Sequence, residues 1–290
     1  MKVALTLNGY FSSRSDTGSI KVGELASSYI KKSIIDKVDG DVDVFIHSWD
    51  LQNKDLVLDL YQNNVRKYVF EEQKDFSDEL LKVDEEWLLS DSTPPPNGEP
   101  REMYENCRLN IFFSYLYSRK EAILLKKKYE EENNFKYDCV FVGRFDLGFR
   151  GKEHYQPFYP TDVYFDPQSD MKKIWTPFWL QFNAGFADHW WYSNSENIDI
   201  ISTWYDRSFE YFQKDSPYVR SMTTGWFDSN REDIFSNEVF KQPDRREKNL
   251  MTHPRYMSIS THHNSKWFLK DVGLYSSVAC HVPKGIYDVD

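Results

Sequence analysis

The first seventy residues change hydrophobic period four times, and that alternation restricts the fold more than any other feature of the chain. Residues 3–7 are a short apolar run cut off by Asn8 and Gly9. Residues 19–37 then place Leu25, Tyr29, Ile30 and Ile34 near helical spacing. A second apolar run at 41–47, a helical stretch near 55–63 and a third short run at 67–71 follow. Strand, helix, strand, helix, strand predicts parallel strands, because parallel neighbours need a crossover and a helix is the usual one. The expectation is α/β: an open, mostly parallel sheet flanked by helices.

The alternation stops at 72–101, an acidic stretch ending in Ser90-Asp-Ser-Thr-Pro-Pro-Pro-Asn-Gly-Glu-Pro100, whose composition predicts an exposed loop. It reads as an insertion within one domain, since the pattern resumes afterwards. A long helix is expected over 102–133, with Leu109, Phe112, Phe113, Leu116 and Ile123 on its buried face and the charges of 126–132 as a solvated end. A fourth strand at 138–142 leads into Gly143-Arg144-Phe145-Asp146. Short edge or mixed strands are expected at 162–165 and 173–175, then helices at 194–212 and 236–240. The terminal segment carries His253, His262, His263 and His281. His262 and His263, adjacent on an expected strand, would point opposite ways and make a poor chelating pair. Residues 1–150 thus form an α/β half and 151–290 an aromatic-rich half of one domain.

With 21 Phe, 19 Tyr and 9 Trp, aromatics reach 17% of the chain. Most of them are expected in the core, with a few left to meet flat ligands. A net charge of −10 argues against sequence-independent binding to nucleic acid or anionic membrane. Cys107, Cys139 and Cys280 match no paired spacing and read as reduced thiols of a cytoplasmic protein. No apolar run is long enough for a membrane span, and the N-terminus has no signal-peptide pattern.

Open α/β sheets bind ligands beyond the carboxyl ends of their strands. Three such ends are polar here: Asn8-Gly9 with the loop carrying Arg14, His47-Ser48-Trp49-Asp50, and Arg144-Phe145-Asp146. Glycine lets a backbone approach a phosphate, arginine grips one through a fork of donors, and Trp49 offers a ring face. Asp146 supplies hard oxygen for Mg²⁺ or Mn²⁺. Neither a GxGxxG nor a GxxxxGK[ST] sequence occurs, which weighs against a Rossmann dehydrogenase and a P-loop NTPase.

In this order, Met1-Lys-Val-Ala-Leu-Thr-Leu-Asn-Gly9, Asp43-Val-Phe-Ile-His-Ser-Trp49 and Val140-Phe-Val-Gly-Arg-Phe-Asp146 resemble a family of GT-A-like glycosyltransferases from bacterial surface-polysaccharide loci and viruses. The resemblance runs over roughly residues 1–240. It implies a GT-A-like fold and donor-binding roles for Asn8, Gly9, Arg14, His47, Trp49, Arg144 and Asp146. Asp146 falls where such enzymes keep the Asp-x-Asp metal motif, with Arg144 standing at its first acidic position, and His281 is the late histidine that often completes the metal site. Residues 182–188 look like the acceptor-side segment, and Ser236-Asn-Glu238 like a Pro-Glu that opens a late helix, with Asn237 in place of the proline. The implied partners are a nucleotide-sugar donor and either a saccharide acceptor or a hydroxymethylated base of viral DNA, the latter met by a basic track at 241–248.

In such a reaction negative charge grows on the departing diphosphate, and a cation on Asp146, or Arg14 and Arg144 themselves, would stabilise it. For inversion a carboxylate must take the acceptor proton, with Asp188 as first candidate and Glu238 as second. Each residue also has a plainer reading: Arg144–Asp146 as a surface ion pair, Trp49 as a cap on the core, His281 as an ordinary core or surface histidine. The competing functions are a non-catalytic carbohydrate- or nucleotide-binding protein and, further off, a glycoside hydrolase with paired carboxylates.

Overall fold

A computed structural model describes residues 1–12, 20–80, 101–148, 161–177, 186–213, 216–218 and 261–281. Its centre is a mixed seven-stranded sheet. In chain order the elements are β1 (Val3–Gly9), α1 (Ile20–Ser33), β2 (Val42–Ser48), α2 (Lys54–Tyr61), β3 (Val65–Phe70), α3 (Ser77–Leu80), α4 (Arg101–Asn133), β4 (Cys139–Arg144), β5 (Ile174–Pro177), β6 (Trp190–Ser193), α5 (Ser195–Ile201), α6 (Trp204–Tyr211), α7 (Thr261–Asp271) and β7 (Val278–His281). The strands lie in the order β3-β2-β1-β4-β6-β5-β7. β2 and β4 flank β1, both parallel to it, whereas β6 runs antiparallel to β4 and to β5. β1 leads to β2 and β3 on one side while β4 returns on the other, so the order reverses between β1 and β4.

Two cores follow from the two-residue period of the strands. Val3, Leu5 and Leu7 of β1, Val42, Val44 and Ile46 of β2, and Cys139 and Phe141 of β4 pack on the side that receives Ile30, Val57 and Tyr61 from the first two helices and Ile34 just after α1. Ala4, Phe45, Val140 and Val142 face the other way, onto Leu109, Phe112, Phe113, Leu116 and Ile123 of α4. By the same parity Asn8, His47 and Arg144 belong to the α4 side. The register makes this a row, with Asn8 opposite both His47 and Arg144.

The strand–helix alternation is therefore where the sequence places it, and the later half departs in instructive ways. Residues 163–165 form no strand; Val163 and Phe165 are buried in irregular backbone. The single helix expected over 194–212 is two, α5 and α6, with a turn at 202–203. β6 is a strand inside Trp190-Trp-Tyr-Ser193, where all four residues are buried and no alternation shows. His262 and His263 open a helix and do not sit on a strand. Leu25 is 70% exposed, so it leaves the apolar stripe of α1. Lys126 and Glu130 are buried, which takes these two out of the solvated end expected for α4, while Lys128, Glu131 and Glu132 are exposed as expected. The short helix expected at 236–240 falls outside the described residues.

Candidate functional site

The carboxyl ends of β1, β2 and β4 meet along one edge of the sheet, and α4 runs beneath them. Gly9 closes β1 with φ of +99°, a conformation that glycine adopts without steric cost. Its amide donates to Ser118 Oγ at 2.8 Å and its carbonyl accepts from Ser48 Oγ at 2.8 Å. Asp50 fixes the next turn. Its Oδ2 accepts from the Ser12 amide at 2.9 Å and the Ser12 hydroxyl at 2.6 Å, and its Oδ1 from Asn53 at 2.8 Å.

His47 is fully buried, with Nδ1 2.8 Å from Ser118 Oγ and Nε2 3.0 Å from Glu71 Oε1. A carboxylate only accepts, so Nε2 carries the proton given to Glu71, and Nδ1 accepts from the Ser118 hydroxyl. Burial pushes the His47 pKa below its ordinary value, although the hydrogen bond and charge of Glu71 oppose that. Serine, histidine and glutamate are thus in line, yet Ser118 is 0% exposed and its oxygen already holds Gly9, so no substrate carbonyl reaches it. The chain of bonds is scaffolding for the Gly9 backbone.

Trp49 takes the plainer of its two readings, a cap on the core. It is buried, stacked on Tyr117 at 5.6 Å and edge-on to His47 and Phe76. Its faces are covered by protein rings, so it packs the core instead of offering an open surface. The larger aromatic excess goes the same way, as in the stack of Trp191 on Trp204 and Trp204 on Phe268, each at 5.5 Å.

On the far side of β1, Arg144 grips Asp146 through two parallel hydrogen bonds, Nε to Oδ1 at 2.9 Å and Nη2 to Oδ2 at 2.5 Å. Both side chains remain about one third exposed, at 34% and 35%. Burial alone would raise the Asp146 pKa; the Arg144 guanidinium outweighs it and holds the carboxyl below its usual range.

Asp188 precedes β6, and its carbonyl oxygen accepts from the Tyr115 hydroxyl at 2.5 Å and from Arg119 Nη1 at 3.5 Å. Its carboxylate accepts from Thr261 Oγ1 at 2.6 Å through Oδ2, while Oδ1 lies 3.5 Å from His189 Nδ1 and 3.9 Å from His262 Nδ1. Burial pushes this carboxyl up, but His262, His189, Arg144 and the Thr261 hydroxyl together hold it well below the usual carboxylate range. His189 is depressed to about 4, by burial first and Arg144 second, so near neutral pH it is uncharged. His262 Nδ1 lies 2.9 Å from the Phe186 carbonyl, which fixes the proton on that nitrogen.

The structure therefore brings together Asn8, Gly9, His47, Trp49, Arg144 and Asp146, with Asp188 reaching them through Tyr115 and Arg119. Arg14, Glu238 and the basic track at 241–248 lie outside the described residues. Of His281 only the backbone is described, at the carboxyl end of β7, which is three strand positions from β4. Among the described residues no three His, Cys, Asp or Glu side chains form a metal-holding group. Asp188, His189 and His262 come nearest, but the His262 nitrogen facing the carboxylate carries a proton. Both oxygens of Asp146 accept from one guanidinium, whose charge opposes a second cation there, so Asp146 as paired here does not fit a resident Mg²⁺ or Mn²⁺, and the side chain of His281 lies outside the described residues.

Tyr115, Ser118, Arg119, Glu71, His189 and Thr261 were not singled out from the sequence, and His262 was read there only as a poor chelating partner of His263. The first three had a signal: residues 115, 118 and 119 share one stripe of the long helix, polar on an otherwise apolar face. Comparison with family models, with curated proteins and with solved structures finds no match to this chain.

Proposed function

We propose that the protein is a GT-A-like glycosyltransferase that moves a sugar from a nucleotide-sugar donor to an acceptor hydroxyl. The observation that carries this reading is the row Arg144–Asn8–His47 at the strand-order reversal, where an open parallel sheet holds its ligand. The donor's diphosphate lies over Gly9 and against Arg144. The acceptor enters from the side of residues 186–218, where Asp188 stands in electrostatic contact with Arg144.

As charge moves onto the departing diphosphate, the Arg144 guanidinium stabilises it, and one well-placed donor of this kind is worth about 3 kcal/mol. Asp188 Oδ1 takes the acceptor proton, Oδ2 being held by Thr261. Its depressed pKa keeps it ionised throughout the neutral range, and also makes it a weaker base than an unperturbed carboxylate. Tyr115 and Arg119 hold the Asp188 backbone and so act as positioning residues.

The test is a thermal-shift panel of UDP, GDP and CDP with their sugars, followed by assay of nucleoside-diphosphate release with an oligosaccharide or with duplex DNA carrying a hydroxyl-modified base. One nucleotide is expected to raise the midpoint by mass action, and one acceptor to accelerate release. Asp188→Asn should then lower the rate about 10²–10⁴-fold while leaving the nucleotide-induced shift in place. Nucleotide binding without turnover on any acceptor would favour a non-catalytic binding protein, and no nucleotide binding at all would end the proposal.

A further inference from the structure

A site built for a metal ion shows spare buried oxygens, and a site built for an anion shows spare buried N–H groups. Among the described residues near the carboxyl ends of β1 and β4, the buried side-chain atoms without a hydrogen-bond partner include Asn8 Nδ2 on the strand and Arg119 Nε and Nη2 on the helix below. These are donors. Asn8 is 2% exposed and so is Arg119, and among the described residues no carboxylate pairs with Arg119. Its guanidinium instead stacks over Trp191, 4.3 Å from the ring centroid, and bonds only the Tyr115 hydroxyl and the Asp188 carbonyl. A cation left without a carboxylate in a low-dielectric setting makes the potential around it positive.

Arg144 supplies the exposed part of the same site. Its fork spends Nε and one hydrogen of Nη2 on Asp146, so Nη1 and the second Nη2 hydrogen remain for a ligand. The pairing also fixes the guanidinium, a long side chain that would otherwise be loose at one-third exposure.

We infer that this protein binds the diphosphate of its ligand without a divalent cation, Arg144 gripping the anion directly and Asp146 serving as the holder of Arg144. Asn8 Nδ2 and buried Arg119 complete the donor-rich wall behind it. Reading the anion as a diphosphate rests on the proposed function; the donor-lined site itself rests on the geometry.

Inorganic pyrophosphate is the probe, titrated calorimetrically into the full chain first stripped with EDTA and then supplied with Mn²⁺. The expected result is binding in EDTA, with a Kd within about 3-fold of that in Mn²⁺. Arg144→Gln should weaken binding at least about 10-fold, and Arg144→Lys should fall between, since it keeps the charge and loses the fork. Asp146→Asn should weaken binding by the same factor with and without Mn²⁺, whereas a metal ligand would lose only the Mn²⁺-dependent part. Thermal midpoints of all variants check that they are folded; should Arg144→Gln fail that check, Arg144→Lys and Asp146→Asn decide. Binding that needs Mn²⁺, no binding, or binding indifferent to Arg144 overturns the inference. Mn²⁺-dependent binding sinks this inference while the transferase reading stands, and metal-free binding without sugar transfer does the reverse.

Discussion

The long helix α4 carries two buried cations, Arg119 and Lys126, two turns apart and opposite in character. Lys126 is 0% exposed, and its ammonium donates to Glu130 at 3.1 Å, Ser195 at 2.7 Å and Asp199 at 2.7 Å. Glu130 in turn takes the Ser195 hydroxyl, the Tyr137 amide and Lys136, so each donor finds an acceptor and each acceptor a donor. Arg119 is about as deeply buried and, among the described residues, meets no carboxylate. The first cluster sits where β4 begins and the second where the parallel strands end. Buried polar groups are normally satisfied, so the closed cluster reads as structure and the open one as a place kept for something else.

Substitution should separate the two most sharply. Lys126→Met removes the buried one of the two ammonium groups that pair with Glu130 and Asp199, leaving only the half-exposed Lys136 for both, and breaking a buried pair from one side costs up to about 3–5 kcal/mol. Arg119→Met strands nothing comparable, because the Tyr115 hydroxyl still donates to the Asp188 carbonyl. Its stability loss should stay near 1 kcal/mol or below. Urea unfolding of both variants measures the difference, and equal losses would erase the distinction between the clusters.

Acid should find the closed cluster too. Burial raises the Glu130 pKa, but the Ser195 hydroxyl, the Tyr137 amide, Lys136 and Lys126 outweigh it, so the folded value is below the ordinary 4.5. The unfolded chain then takes up this proton first on acidification. The stability contributed is fully present above about 4.5 and is lost as pH falls through the folded pKa. Glu130→Gln should therefore be less stable than the parent at neutral pH and lose less below pH 4.5. Melting midpoints across pH 3–7 give both curves, and parallel curves would contradict the assignment.

What the sequence revealed follows the same division. Period and turn residues are local properties, so β1, β2, α4 and β4 could be read from the chain, and so could the three polar strand ends. The order of strands past β4 could not: β6 is buried on both faces and shows no alternation. Nor could the fate of charge. The acidic and basic residues of 126–132 have the composition of a solvated end, and only partners distant in sequence, Ser195 and Asp199, bring Lys126 and Glu130 inside. Trp49 failed for the opposite reason, since a ring at a strand end serves a ligand or the core equally well until its neighbours Tyr117 and Phe76 are placed.

An effect smaller than that of Lys126→Met tests the scaffold beneath Gly9. Ser118→Ala removes the oxygen that accepts from Gly9 and the hydrogen that reaches His47, so one buried amide and one buried imidazole nitrogen lose a partner. Each such loss costs about 1–3 kcal/mol, eased here because Gly9 is half-buried and its carbonyl remains tied to Ser48. A fall of about 1–2 kcal/mol in urea is expected. If Gly9 only braces the strand end, pyrophosphate affinity should be unchanged once the variant is folded. If its backbone shapes the phosphate cradle, affinity should fall several-fold with no change in how it responds to Mn²⁺, because Ser118 touches the glycine and neither Arg144 nor Asp146. The second outcome is the one that the convergence of Gly9, Asn8 and Arg144 on a single edge demands.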